Sequence, residues 1–322
     1  MVSRVVQIAL VAVTTVMLIL TLVFNYLSTS DLGYQAGLFA YNSSIPWTER
    51  GNLTASSLTP PGWAFSIWAV IYLYQGAMLA YCWSLLFRRS SHGEPLCCVP
   101  GLLPVGFLVA HCISSVFNIA WVFLADRVPM SKPLLTPQTL VLFFLAISIW
   151  ICLAFSLQQL QANGQELQSE GLGKEYWLVI GLIQNSCGLY VGWTSIASFL
   201  NLDVAIVNLA GYPAENSSLL CLCQVCLLLG MYIVADFSFL DRYMRFVIAP
   251  YVTLLWALVT SVAGNYRAGS ARSDVSVQLM AVLAVALVAK VIVAIIRQKR
   301  SPQPWSVKGS RSQVSDSSIK LG

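Results

Sequence analysis

Runs of about 20 apolar residues recur along this chain, eight in all, each closed by prolines, glycines or charged residues. They cover residues 5–27, 62–87, 102–125, 136–157, 176–200, 218–240, 246–263 and 275–296. A helix rises 1.5 Å per residue, so a run of this length spans the hydrocarbon core of a bilayer. Only 10% of the residues are charged and 57% are hydrophobic, whereas soluble domains carry about 25% charge. The mean hydropathy of +0.74 points the same way. A water-soluble fold is excluded, and an all-α polytopic membrane protein with eight transmembrane helices is expected. The first run exceeds the 7–15 residues of a signal-peptide core, so it reads as a retained helix, with cleavage as the alternative.

Eight crossings return both ends of the chain to one side. That side holds Arg4, Arg88, Arg89, Lys174, Arg242, Arg245, Arg297, Lys299, Arg300, Lys308, Arg311 and Lys320. The other side holds only Arg50, Arg127, Lys132, Arg267 and Arg272. Loops rich in Lys and Arg stay in the cytosol, which places both termini there. Three N-x-[ST] sequons, at Asn42, Asn52 and Asn216, then share the opposite, lumenal or extracellular side, where glycosylation occurs. The net charge of +5 is spread over loop ends, so it reports orientation and gives no footprint for nucleic acid.

Between the runs, 28–59 reads as a polar loop, 158–175 as a loop with frayed helix ends, and 201–217 as a mixed segment. Thr136-Pro137 reads as an N-cap followed by the first helical residue. Of nine cysteines, most lie inside apolar runs and behave as small hydrophobes. The CLCQVC cluster (Cys221, Cys223, Cys226) has no histidine near it, so no metal site is expected. Cys97 and Cys98, just before the third run, are candidates for S-palmitoylation.

The second run opens with a double proline and carries three tryptophans and three tyrosines within 60–83. At helical spacing Phe65, Trp68, Tyr72, Gln75 and Leu79 form one stripe. Trp68 and Tyr72 lie about 7–15 Å beyond the turn, too deep for a simple interfacial belt. Such a stripe either walls a cavity for a flat apolar ligand or packs against neighbouring helices. Two further stripes carry polar groups: His111, Ser114, Asn118, Trp121 and Ala125 in the third run, and Tyr190, Thr194, Ala197 and Asn201 in the fifth, with Trp193 alongside. Buried polar groups in lipid need partners, so these stripes face other helices or a cavity. His111 reads as a satisfied packing histidine.

Little else points to chemistry. Lys290 lies seven residues before Arg297, about 10 Å along a helix, and its side chain is expected to snorkel to the interface. Asp236 reads as a solvated helix end, with a transport-coupling site as the alternative, and Asp203 lies just past the fifth run. With no carboxylate at a bilayer midplane, active transport is less favoured. The sequence shows no nucleophile–base pair, phosphate loop, dinucleotide fingerprint or metal-ligand set, so no catalytic residue is assigned and an enzyme is not expected.

Three segments together resemble the TspO/MBR family (translocator protein, tryptophan-rich sensory protein). They are Pro60-Pro61-Gly62-Trp63-Ala64-Phe65 with Trp68 and Ile71-Tyr72, then Asn118 with Trp121, then Leu189-Tyr190-Val191-Gly192-Trp193 with Ala197 and Leu200-Asn201. Order and helix number agree with the family pattern over residues 5–201. Leu58 and Leu189 replace a tryptophan and a proline of that pattern, the proline after the third-helix tryptophan is missing, and three further runs follow. The chain thus looks like a distant, extended relative. The resemblance implies a five-helix membrane domain over 1–201; the later apolar runs add three transmembrane helices over 202–296, and the basic, serine-rich stretch 297–322 with its two prolines reads as a disordered cytosolic tail.

The resemblance further implies a pocket under the first loop for a porphyrin, another tetrapyrrole or a sterol-like molecule. Its wall would be Trp63, Phe65, Trp68, Asn118, Trp121, Tyr190, Trp193 and Ala197, joined by Tyr72 from the aromatic stripe, with Trp47 as a lid. The expected role is a sensor or carrier that needs no cofactor beyond the porphyrin or sterol ligand itself. An eight-helix transporter or channel depending on Asp236 or Lys290 is the alternative, and oxidative porphyrin breakdown a weaker one. Expected partners are membrane lipid, the small apolar ligand and, optionally, a second copy forming a homo-oligomer, but no nucleic acid. The sequons favour the plasma membrane or an endomembrane, while the family's usual place in animals makes the mitochondrial outer membrane the alternative.

Overall fold

The computed structural model describes residues 4–45, 49–50, 54, 56–90 and 93–301. The lid candidate Trp47, the sequon residue Asn52 and tail residues 302–322 lie outside them. The long helices are α1 (Arg4–Leu27), α2 (Ile67–Phe87), α3 (Val105–Arg127), α4 (Leu135–Ala162), α5 (Asn185–Ala210), α6 (Ala214–Phe237), α7 (Ala249–Asn265) and α8 (Ala271–Arg300). A 3₁₀ turn, Gly62–Ser66, leads into α2. α5 is the continuation of a helix begun at Gly173–Leu178 and carried through a π turn at Val179–Gln184. The Tyr74 hydroxyl donates to the Gly181 carbonyl in that turn at 2.9 Å.

Among the described residues, seven helices are long and apolar enough to cross a membrane. The exception to the expected eight is α7, with 17 residues. Its shortness has a local cause. The chain enters α7 beside Asn185, about 18 Å along the rod from Gly173. There the Asn185 Oδ1 accepts the backbone N–H groups of Ile248 and Ala249 at 3.0 and 3.1 Å, and its Nδ2 donates to the Phe246 carbonyl at 3.0 Å. A borrowed side chain thus caps donors at a helix start that would otherwise be orphaned.

α5 is the axis of the bundle and touches α2, α4, α6 and α7. Of its apolar stretch, 56% is buried, against 22% for α8 on the outside. Two glycines let α7 lie close. A Cβ at Gly188 would fall 2.8 Å from the Pro250 Cδ, and one at Gly192 would fall 2.7 Å from the Pro250 carbonyl oxygen and 2.1 Å from the Thr253 Oγ1. This is the small-xxx-small spacing that brings membrane helices together. On the other flank, α1 packs on α2 and α3 through Gln7, Val11, Thr14, Leu18 and Thr21.

Several expectations are corrected. Residues 201–210 continue α5 as helix, and α6 begins at Ala214, so 201–217 is mostly helical. Its polar residues are satisfied inside: Ser217 and Ser218 donate to the two oxygens of buried Asp203 at 2.6 and 2.9 Å. The domain boundary drawn at Asn201 falls within α5. α4 starts before Thr136, at Leu135, following a 3₁₀ turn with no side-chain cap, and Pro137 fits in its first turn because those N–H positions have no helical partner. The 158–175 linker holds a short helix, Gly164–Ser169. α8 runs on to Arg300, past the expected start of the tail.

The charged residues differ most. Lys290 does not snorkel. It is buried, with its Nζ 2.7 Å from the Asp236 Oδ1. Asp236 is likewise fully buried and is no solvated helix end. His111 is buried on α3, and neither ring nitrogen has a hydrogen-bond partner among the described residues, so it is not a satisfied histidine.

Candidate ligand-binding site

The three stripes meet. Trp68 on α2 is the hub, with ring-centroid distances of 5.4 Å to Tyr72, 6.0 Å to Trp121, 5.7 Å to Tyr190 and 6.3 Å to Trp193. Tyr72 stacks on Trp68, whereas Tyr190 and Trp193 present T-shaped contacts, the arrangement the ring quadrupoles favour. Phe65 extends the cluster by an edge contact with Trp193 at 5.9 Å. α2, α3 and α5 therefore each contribute rings to one contiguous aromatic wall.

Asn118 lies beneath the rings and is fully buried. Its Nδ2 donates to the Tyr190 hydroxyl at 2.7 Å. Its Oδ1 accepts from the Tyr72 hydroxyl and from the Asn25 Nδ2, each at 3.2 Å. One amide thus ties α1, α2, α3 and α5 together. By contrast, the Nε1 of Trp193 is buried with no hydrogen-bond partner among the described residues. A buried donor left open costs about 1–3 kcal/mol, which makes it a natural anchor for an acceptor on a ligand.

Two predicted wall residues stand apart. Trp63 is 54% exposed and turns its ring onto Trp256 of α7, 5.6 Å away and edge-on, rather than into the cluster. Trp256 in turn donates its Nε1 to the Ala64 carbonyl at 3.0 Å, pinning the 3₁₀ turn. Ala197 is half-buried on α5, one turn beyond Trp193, and packs on the core without a ring contact.

The rings of Trp68, Tyr72, Trp121, Tyr190 and Trp193 touch one another across the wall. A narrow apolar crevice of about 10 Å³, room for one water-sized sphere, lies on another face of α5 between α6 and α7, lined by Ile196, Phe199, Leu222, Val225, Ala257 and Leu258. It is too small for the expected ligands and does not include the wall residues.

The first loop is strapped over this end of the bundle. Arg50 is buried and donates to the carbonyls of Ser28, Ile45 and Asn42 at 2.9, 2.8 and 3.2 Å. It also reaches the Asp126 Oδ1 at 3.3 Å, at the end of α3. Burial pulls the Arg50 guanidinium down from its ordinary range, and the charge of Asp126 pulls it back up. Asp126 further accepts the Ala40 N–H at 2.7 Å and pairs with Arg127, which donates to the Leu38 carbonyl at 3.0 Å.

Sequence reasoning missed Asn25, Trp256 and the Arg50–Asp126 strap. Asn25 was legible, because Gln7, Val11, Thr14, Leu18, Thr21 and Asn25 form a helical stripe like the other three. Trp256 and the strap join residues far apart in the chain and left no local signal.

The sequence profile of the TSPO-like protein family matches residues 9–296, well past the three helices that carry the motifs. No curated protein and no solved structure matches the chain. Reaching from α1 into α8, that match shows that the chain belongs to the TSPO-like protein family.

Proposed function

We propose that this membrane protein binds a flat apolar ligand, a porphyrin or sterol-like molecule, between α2, α3 and α5 and acts as its sensor or carrier. The observation that carries the reading is Trp68 meeting four aromatic rings from three helices beside the open Nε1 of Trp193. A planar ligand replaces ring-on-ring faces with ring-on-ligand faces, and its apolar surface gains about 25 cal/mol per Å² buried. Because the rings touch, entry requires Trp68 to turn away from Tyr72. Exposed Phe65 and Trp63 meet the ligand first. The membrane lipid that carries such ligands is the other partner.

In this reading α7 completes eight crossings despite its length. Its far end meets the first loop, where Ser261 donates to the Leu58 carbonyl at 2.9 Å and Asn265 to that of Thr59 at 2.8 Å. The termini then share the cytosolic side, and the protein resides in the plasma membrane or an endomembrane. Asn42 is the better glycan acceptor of the two described sequons. Asn216 lies in the first turn of α6, with the hydroxyl of its Ser218 held by Asp203.

Titration of the purified protein with a porphyrin, read by tryptophan emission, tests the ligand assignment. Quenching is expected, with binding weakened about tenfold by Trp68→Ala or Trp193→Ala, since each removes ring contacts worth about 0.5–1.5 kcal/mol apiece. No quenching by porphyrins together with no crosslinking to a sterol probe removes it.

A further inference from the structure

Beyond the aromatic site, α6, α7 and α8 converge on a second buried constellation. The Asp236 carboxylate on α6 accepts Lys290 Nζ of α8 on one oxygen and the Tyr251 hydroxyl of α7 on the other, both at 2.7 Å. All three residues are at most 2% exposed. Each charge taken out of water costs several kcal/mol, and apolar residues packed in the same space often serve stability as well or better. An ion pair fully buried between α6 and α8 therefore calls for a role other than holding them together.

Two details bear on that role. Lys290 has three N–H donors and uses one on the protein, and the Tyr232 hydroxyl, one turn before Asp236 on α6, is buried with no hydrogen-bond partner among the described residues. The site therefore has spare capacity to rearrange a proton. It also has a neighbour at the bundle's end. Asp241, in the turn Asp241–Met244 just after α6, pairs with Arg245 at 2.8 Å and with the part-exposed Arg297 at 3.0 Å. The groups facing Asp236 are thus Tyr232 from α6, Tyr251 from α7 and Lys290 from α8, with Asp241 and Arg297 on the side toward water. From α4 the Trp150 ring approaches, 5.8 Å from Tyr232.

We propose that Asp236 and Lys290 form a proton-binding site in the membrane, opened and closed by the charge pair itself. A proton arriving from the Asp241 side is taken up by the Asp236 carboxylate, which becomes the neutral acid. The Lys290 ammonium then has no counter-ion and one net positive charge remains on the site. Freed, its side chain can extend along α8 toward Arg297, about 10 Å away, which is the snorkelled position. Deprotonation of Asp236 draws it back.

Infrared difference spectroscopy on the full chain in liposomes tests this. Acidification is expected to raise a carbonyl band of a buried carboxylic acid that shifts in heavy water, is lost in Asp236→Asn and is kept in Asp241→Asn. In Lys290→Met the uncompensated Asp236 stays neutral, so the band is present even at the pH where the wild type lacks it. Should either single variant fail to fold, the neutral pair Asp236→Asn with Lys290→Met provides the bandless reference. Identical spectra for the wild type and the Asp236→Asn variant across the pH range, or an ionised Asp236 in Lys290→Met, overturn the proposal.

Discussion

Gly192→Ala gives the sharpest test of how the site helix is held. The added Cβ would lie 2.7 Å from the Pro250 carbonyl oxygen and 2.1 Å from the Thr253 Oγ1. Thr253 can turn its hydroxyl away, but the Pro250 carbonyl is backbone and cannot. A carbon ordinarily approaches a carbonyl oxygen no closer than about 3.3 Å, so α7 must retreat from α5 by about 0.6 Å. A gap of that size forfeits a quarter to a half of each dispersion contact along the seam, and overpacking of this kind costs about 1–3 kcal/mol. Alanine is also a better helix former than glycine, but Gly76→Ala on α2 shares that gain and has no neighbour within 4 Å of the new carbon. The difference between the two variants is therefore about 1–3 kcal/mol. Unfolding in detergent, followed by a thiol-reactive dye that reports exposure of buried Cys152 and Cys187, measures it. Equal stability of Gly192→Ala and Gly76→Ala would refute the close approach of α7 to the helix that carries Trp193.

Other expectations follow from the same contacts. Asn118→Leu removes three interhelical hydrogen bonds, and at about 0.6 kcal/mol each in a membrane the loss is about 2 kcal/mol, seen as a lower unfolding midpoint; an unchanged midpoint would contradict its linking role. Arg50→Met frees the first loop, although Arg127 keeps Asp126 partly compensated, so limited proteolysis within 28–59 is expected to accelerate at least severalfold over the wild type. A cleavage rate like that of the wild type would mean the strap does not hold. Asn42→Gln is expected to remove a glycosidase-sensitive gel shift and Asn216→Gln to leave it; the reverse pattern would count against Asn42 as the acceptor, and no glycosidase-sensitive shift in the wild type would count against the proposed sidedness.

Much of this molecule is legible in its sequence. Apolar runs of about 20 residues place the helices because a single segment in a bilayer satisfies its own backbone groups as a helix, and period-3.6 stripes identify the inward faces of α2, α3 and α5. What escapes the sequence is pairing at a distance. Lys290 alone looks able to reach the interface, and only the approach of Asp236, 54 residues away in the chain, holds it inside. The polar residues 201–217 resemble a loop because nothing local shows that Asp203 takes up Ser217 and Ser218. α7 reads as an ordinary span because its buried start depends on an asparagine from α5. Trp63 follows the family pattern in sequence, yet Trp256, on a helix beyond the motifs, draws it off the cluster.

Photoaffinity labelling tests the central claim most directly, using a porphyrin or sterol carrying a photoreactive group on the full-length protein and peptide mapping of the adducts. The account predicts label on the segments bearing Trp68, Trp121 and Trp193, displaced by unlabelled ligand and reduced in Trp68→Ala. Label confined to the lipid-facing surfaces of α6 and α8, or undiminished by competitor, would contradict it.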